Sequence, residues 1–142
     1  MTYEKLNFAD FEQLTGLEQQ YKMAIGEPQL TFEQIAALKR AIEAGKIEFF
    51  VAKDGAEVVG MCSVAVAFST FACSAMGIFE DFFIAKTHRK QGIAGALTQF
   101  VFAEMKARGI TSLWVGSADI DVEMYKSLGF DIPLGNLLAW GV

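Results

Sequence analysis

Apolar and polar positions change period several times along the chain, and each change marks an element. Tyr3 to Phe8 alternates, as a short first strand does. Asp10 is placed to cap a helix that carries Phe11, Leu14, Leu17, Tyr21 and Ile25 at helical spacing. Gly26-Glu-Pro28 breaks this helix, and Thr31 with Gln34 has the form of a capping box opening a second one. Ile35, Leu38 and Ile42 line its apolar face, and Gly45 ends it. Ile47–Lys53 and Glu57–Ser69 read as a hairpin around Asp54-Gly55.

A second connection, near Ser69 to Ser74, leads into a strand ending at Phe79-Glu-Asp-Phe-Phe-Ile84. A basic loop, Lys86-Thr-His-Arg-Lys-Gln-Gly92, follows it. From Gly92 the period becomes helical, with Ile93, Leu97, Phe100, Val101 and Met105 on one face and Arg108-Gly109 at the end. Thr111–Gly116 reads as a strand, Asp119–Leu128 as a helix with an acidic start, and Asn136–Val142 as a last apolar strand. This order predicts an α/β fold: a mixed, mostly antiparallel sheet with a splayed parallel strand pair, flanked by about four helices. The unit after Gly92 should be a right-handed crossover. We expect one domain over residues 1–142.

Composition narrows the function. A net charge of −5 disfavours nonspecific nucleic-acid binding and fits a cationic substrate better. The longest apolar run, Val58 to Phe68, is too short and too interrupted to cross a bilayer, and the polar N-terminus does not resemble a signal peptide. Cys62 and Cys73, both in apolar sequence, read as half-buried free thiols of a cytoplasmic protein rather than a disulfide. One histidine and no clustered cysteines give no metal-site pattern. A hydrophobic fraction of 53% is high for this length, and we expect part of it to lie in a homodimer interface.

The candidate chemistry lies between Phe79 and Leu97. A strand, a short basic loop and a helix start bring unpaired N–H groups and a positive dipole end to one place, which suits an anion. Arg89-Lys-Gln-Gly-Ile-Ala94 fits Arg-x-x-Gly-x-Ala, with small residues where bulk would keep a pyrophosphate from the backbone. Glu80 and Asp81 precede it. In a regular strand Glu80, Phe82 and Ile84 share one face and Asp81 and Phe83 the other, so only one carboxylate enters a cleft unless a β-bulge intervenes. His88 and the acids Asp119, Asp121 and Glu123 read more simply as a surface histidine and a helix N-terminus with favourable charge.

Arg-x-x-Gly-x-Ala after an apolar strand resembles the acetyl-CoA signature of the GNAT superfamily of N-acetyltransferases. Met124-Tyr-Lys-Ser-Leu-Gly-Phe130 resembles that family's downstream segment, and the order of elements matches it over nearly the whole chain. Glu80-Asp-Phe-Phe-Ile84 further resembles the Glu-Asp-Phe-Phe-Val of diamine acetyltransferases.

The resemblance implies acetyl-CoA as acetyl donor and a small primary amine as acceptor, attacking directly in a ternary complex. It implies that backbone around Phe82, Phe83 and Ile84 holds the acetyl group and pantetheine arm. Lys90, Gln91, Gly92, Ile93, Ala94 and Gly95 would cradle the pyrophosphate, with Arg89 and Lys90 adding charge at the rim. Tyr125 would act as general acid on the departing thiolate, and Glu80 is preferred over Asp81 as base. The chain departs from the pattern at Gln91 and Ala94, and carries Ser117-Ala-Asp-Ile-Asp121 where many relatives place an asparagine. An inactive acyl-CoA-sensing module and a protein or peptide acetyltransferase are the competing readings. The first two helices, over Asp10 to Ala44, should line the acceptor side.

Overall fold

A computed structural model describes residues 1–141. Its centre is a five-stranded sheet in sequence order, β1 (Thr2–Lys5), β2 (Glu48–Asp54), β3 (Glu57–Ser69), β4 (Ser74–Ile84) and β5 (Leu113–Val115). The first four strands pair antiparallel, and β4 pairs with β5 in parallel. The helices are α1 (Phe11–Ala24), α2 (Phe32–Glu43), α3 (Ile93–Ala107) and α4 (Val122–Leu128).

Local chemistry explains most boundaries. Thr31 Oγ1 accepts from Gln34 N while the Gln34 side chain accepts from Thr31 N, so the expected capping box opens α2. Asp10 precedes α1 but caps nothing through its side chain; its Oδ2 takes the Lys53 ammonium at 2.8 Å instead. The β2–β3 hairpin turns on Gly55-Ala56, with Gly55 at φ +58°, one residue later than the Asp54-Gly55 dipeptide suggests.

The sheet separates two apolar layers. Phe50, Cys62, Val64, Phe79, Ile84, Leu97, Val101 and Met105 form the layer under α3. Leu14, Leu17, Phe49, Val51, Met61 and Phe83 form the layer under α1. Gly77 allows β5 to lie against β4, because a Cβ there would collide with the Leu113 side chain.

Two expectations are corrected. Residues 136–141 form no strand, and Leu137, Leu138 and Trp140 are exposed; Val142 lies outside the described residues. An apolar run becomes a strand only when a neighbouring edge accepts its backbone hydrogen bonds, and among the described residues none does. The two cysteines are not alike: Cys62 is wholly buried, which pushes its thiol pKa up, whereas Cys73 is exposed in the β3–β4 turn at φ +50°.

Candidate acyl-transfer site

The site is organised by a bulge in β4. Met61 pairs with Phe83 and Ser63 with Glu80, so Cys62 alone faces both Asp81 and Phe82. Asp81 takes up the extra residue at φ +52°, a left-handed conformation uncommon for a side-chain-bearing residue. The bulge changes the faces. Phe79, Phe82 and Ile84 lie in or against the α3 layer, while Phe83 joins the α1 layer. The regular alternation expected for Glu80 and Asp81 is thereby overturned. Asp81 reaches Ser63 Oγ at 3.4 Å on the α1 face, and Glu80, next to Phe79, turns to that face as well.

β5 leaves β4 early. Their pairing ends at Phe79↔Val115, and β4 runs on to Ile84 with no β5 partner beside it. A cleft therefore opens along Glu80–Ile84, lined on one side by main chain. Tyr125 stands across it from Phe82, ring centroids 6.3 Å apart, and is held edge-on against Phe130 at 5.9 Å. Gly129, at φ +111°, ends α4 and lets Phe130 N return to the Tyr125 carbonyl at 3.0 Å. A cavity of about 1000 Å³ between β5, α4 and the chain after Phe130 also borders Tyr125, but it touches none of Glu80–Gly95. Tyr125 meets β4 through the Phe82 ring rather than through this cavity.

At the cleft's far end the loop before α3 curls, with Lys90 at φ +60° and Gly92 at φ +77°. Gly92 is the N-cap residue, and no side chain caps the helix. The first-turn N–H groups of Ile93, Ala94 and Gly95 are thus open to an external acceptor. A Cβ added at Gly92 or Gly95 would meet nothing within 4 Å, so the space above the turn is clear. Ile93 is buried and anchors the turn, while Lys90 is exposed.

Arg89 is turned away from this cradle. Its Nε donates to the Ile84 carbonyl at 2.9 Å and its guanidinium lies over the Phe83 ring at 5.1 Å, tying the loop to the end of β4. Gln91 donates to the Thr87 carbonyl at 3.3 Å. His88 faces Asp54 at 3.6 Å, away from the cleft. The side chains of Phe83 and Ile84 are core pieces, so their contribution to the cleft is main chain.

Electrostatics distinguish the candidates. Burial, helped by Tyr21, Asp121 and Asp81, pushes Tyr125 up to about 12, so its hydroxyl keeps its proton throughout the working range. Burial also raises the pKa of Asp81, against the opposing pull of Lys22 and the Ser63 hydrogen bond. A carboxylate so raised is a stronger base than one in water. Glu80 is exposed, on the strand edge.

One residue of the site is absent from the sequence-based candidates. Glu18 of α1 is 3% exposed, and burial foremost, then Asp81, pushes it up to about 8. It sits in the stripe Leu14, Leu17, Glu18, Tyr21, where the helical period calls for an apolar residue. That misfit was the available signal.

Comparison with known proteins agrees with this fold. The model of the acetyltransferase (GNAT) domain matches residues 45–132, from before β2 to beyond α4. A search of curated proteins finds no match. Among solved structures, the chain is similar to a predicted acetyltransferase from Clostridium acetobutylicum crystallised with acetyl-CoA. Identity there is 18% over 97% of this chain and 94% of that one, at TM-score 0.80. It is also similar to an aminoglycoside acetyltransferase from an uncultured soil metagenomic sample, 14% identical over 99% and 95% of the two chains, at TM-score 0.86. A third is glucosamine-6-phosphate N-acetyltransferase from Arabidopsis thaliana, 14% identical over 98% and 97%, at TM-score 0.77. At such identities these structures speak for the fold, while the domain model covers more than half of the chain. The chain belongs to the GNAT family of acetyltransferases.

Proposed function

We propose that residues 1–142 form one domain that transfers an acetyl group from acetyl-CoA to a small primary amine, by direct attack in a ternary complex. The observation that carries this reading is the early parting of β5 from β4, whose pairing ends at Phe79↔Val115. The fold sets an uncapped helix start, a stretch of β4 with no β5 partner, a protonated tyrosine against Phe82 and the half-buried Asp81 along one strand and the loop that follows it.

The main-chain N–H groups of Ile93, Ala94 and Gly95 suit the pyrophosphate, and the unpaired edge of Phe82–Ile84 suits the pantetheine arm and the acetyl carbonyl. The donor, when bound, supplies a thioester whose carbonyl carbon accepts the amine nitrogen. An alkylammonium has a pKa of about 10, so a proton must leave before attack. Asp81 is our choice of base over Glu80, because it is half-buried and raised by burial, whereas Glu80 is exposed. The C–N bond forms, the C–S bond breaks, and one proton passes in net from nitrogen to sulfur. Complete transfer from Tyr125 at about 12 to a thiolate whose acid has a pKa near 8.5 is uphill by about 5 kcal/mol. Tyr125 therefore serves as a hydrogen-bond donor that stabilises the departing sulfur, rather than as a spent acid.

The small-amine preference rests on the carboxyls Glu18 and Asp81 between α1 and β4. Structural neighbours that acetylate aminoglycosides and glucosamine-6-phosphate are consistent with it. A homodimer belongs to the same reading, supported by the exposure of Leu137, Leu138 and Trp140, as does a cytoplasmic location in which Cys62 and Cys73 remain thiols. The test is a panel of primary amines, polyamines, amino sugars and lysine peptides assayed for acceleration of CoA release. Acceleration by small amines but not peptides is expected. Peptide acetylation without small-amine turnover would overturn the acceptor class.

A further inference from the structure

Ser63 is wholly buried, and among the described residues its hydroxyl has one partner, Oδ2 of Asp81 at 3.4 Å. Within the buried run Val58–Val64 of β3 it is the one side chain that carries an oxygen. By alternation it shares the face of Met61, in the layer that Phe49 and Val51 build under α1, where an apolar side chain would pack as well. A buried hydroxyl at such a position is kept for what it bonds. The carboxylate it meets is unusual too. Asp81 sits in the bulge at φ +52°, and backbone outliers of this kind cluster at reactive sites. Its two oxygens differ. Oδ2 meets Ser63, whereas Oδ1 makes no hydrogen bond among the described residues. The enclosed side-chain atom without a partner is Glu18 Oε1, so Asp81 Oδ1 is open to solvent.

We propose that Ser63 is a positioning residue of acyl transfer: its hydroxyl holds Oδ2 of Asp81 and presents Oδ1 as the oxygen that takes the acceptor's proton. The inference rests on the acetyl-transfer reading above, with Asp81 as base, and deepens it by naming what aims that base. The last torsion of an aspartate is soft, so a carboxylate with no second anchor turns and carries its basic lone pair off line. A bond from a buried strand residue removes that freedom. At 3.4 Å the contact is long for a hydroxyl and a carboxylate, and such contacts tighten in the reacting complex. The proton passes from the amine nitrogen to Oδ1, while Ser63 donates throughout and keeps its own. The same bond favours the ionised carboxylate, so without it Asp81 holds its proton to higher pH. The other titratable groups around Asp81 are Glu18, Tyr21 and Lys22 of α1, Glu80 beside it on β4 and Tyr125 of α4. None of them is altered when Ser63 alone is replaced.

The test compares the full wild-type chain with Ser63→Ala, a change that adds no bulk to the layer, and with Ser63→Thr, which keeps the hydroxyl. The Asp81 carboxyl is followed by carbon NMR across pH. Its titration midpoint should rise by about half a unit or more in Ser63→Ala and stay in place in Ser63→Thr. With an amine that accelerates CoA release, Ser63→Ala should lower the plateau of kcat by about tenfold, and the acid limb of the pH profile should move up with the NMR midpoint. In an Asp81→Asn background the same substitution should change kcat by less than about twofold, because Ser63 acts only through that carboxylate. A midpoint unmoved in Ser63→Ala overturns the proposal, and so does one that moves equally in both variants. A kcat loss of the same size in the Asp81→Asn background also overturns it. A midpoint that moves under an unchanged pH profile overturns the role of Ser63 and leaves the acetyl-transfer reading standing. Absence of turnover with every amine overturns both, and a moved midpoint then records a bond that is structural alone.

Discussion

Glu18 shows what a single buried carboxyl can cost a fold. Glu18 folds with its carboxyl at about 8, against 4.5 when unfolded, so the native state holds a proton that the unfolded state has lost. With the folded value raised, the contribution to stability is fully present below about 4.5 and is lost as pH rises through about 8. We expect the melting temperature to fall across that window, and Glu18→Gln to flatten the fall by an amount worth a few kcal/mol at its upper end. Thermal melts of both proteins across pH check this; parallel curves would remove Glu18 as the cause. For the chemistry, Asp81→Asn should lower kcat by about 10²-fold while Glu80→Gln changes it several-fold at most. Single-turnover rates of the two variants decide between the carboxylates.

At the scale of elements, much was legible because the relevant signals are local. Thr31 and Gln34 announce a capping box, and the loop Arg89–Gly92 followed by Ile93, Ala94 and Gly95 announces an uncapped helix start. The bulge was not legible. Asp81 adopts a left-handed conformation because β3 and β4 both bury side chains on each side of Cys62, and their registers there differ by one residue. No pattern within Glu80–Ile84 alone encodes that mismatch. Nor did helical periodicity single out Glu18, since a search for apolar positions passes over the one polar residue in the stripe. Gly92 carries the element-scale prediction. Alanine at φ +77° costs about 1–2 kcal/mol and turns the first N–H groups of α3 away from a shared target. Gly92→Ala should weaken CoA binding by about tenfold, read by calorimetry. Thr31→Ala is the matched control, since loss of the α2 cap should cost about 1 kcal/mol of stability and leave CoA affinity alone.

For the molecule as a whole, the sheet order and the parallel β4–β5 pair followed from the succession of elements, because short connections leave few topologies. The final segment did not follow. Asn136–Gly141 has strand-like composition but no partner edge within the described residues, and its apolar side chains face outward. In the proposed homodimer these residues meet a second copy. Leu138→Asp should then shift sedimentation from dimer to monomer without unfolding the sheet, whereas a wild-type chain that sediments as a monomer at micromolar concentration would refute the dimer.

In the proposed function, Asp81, Tyr125 and the α3 N-terminus serve one acetyl transfer. Its most direct test is amine-dependent CoA release by wild type and Tyr125→Phe, with CoA binding measured alongside. Equal CoA affinity and a loss of about 10²-fold in kcat are expected for the variant. Turnover by Tyr125→Phe at the wild-type rate would contradict this.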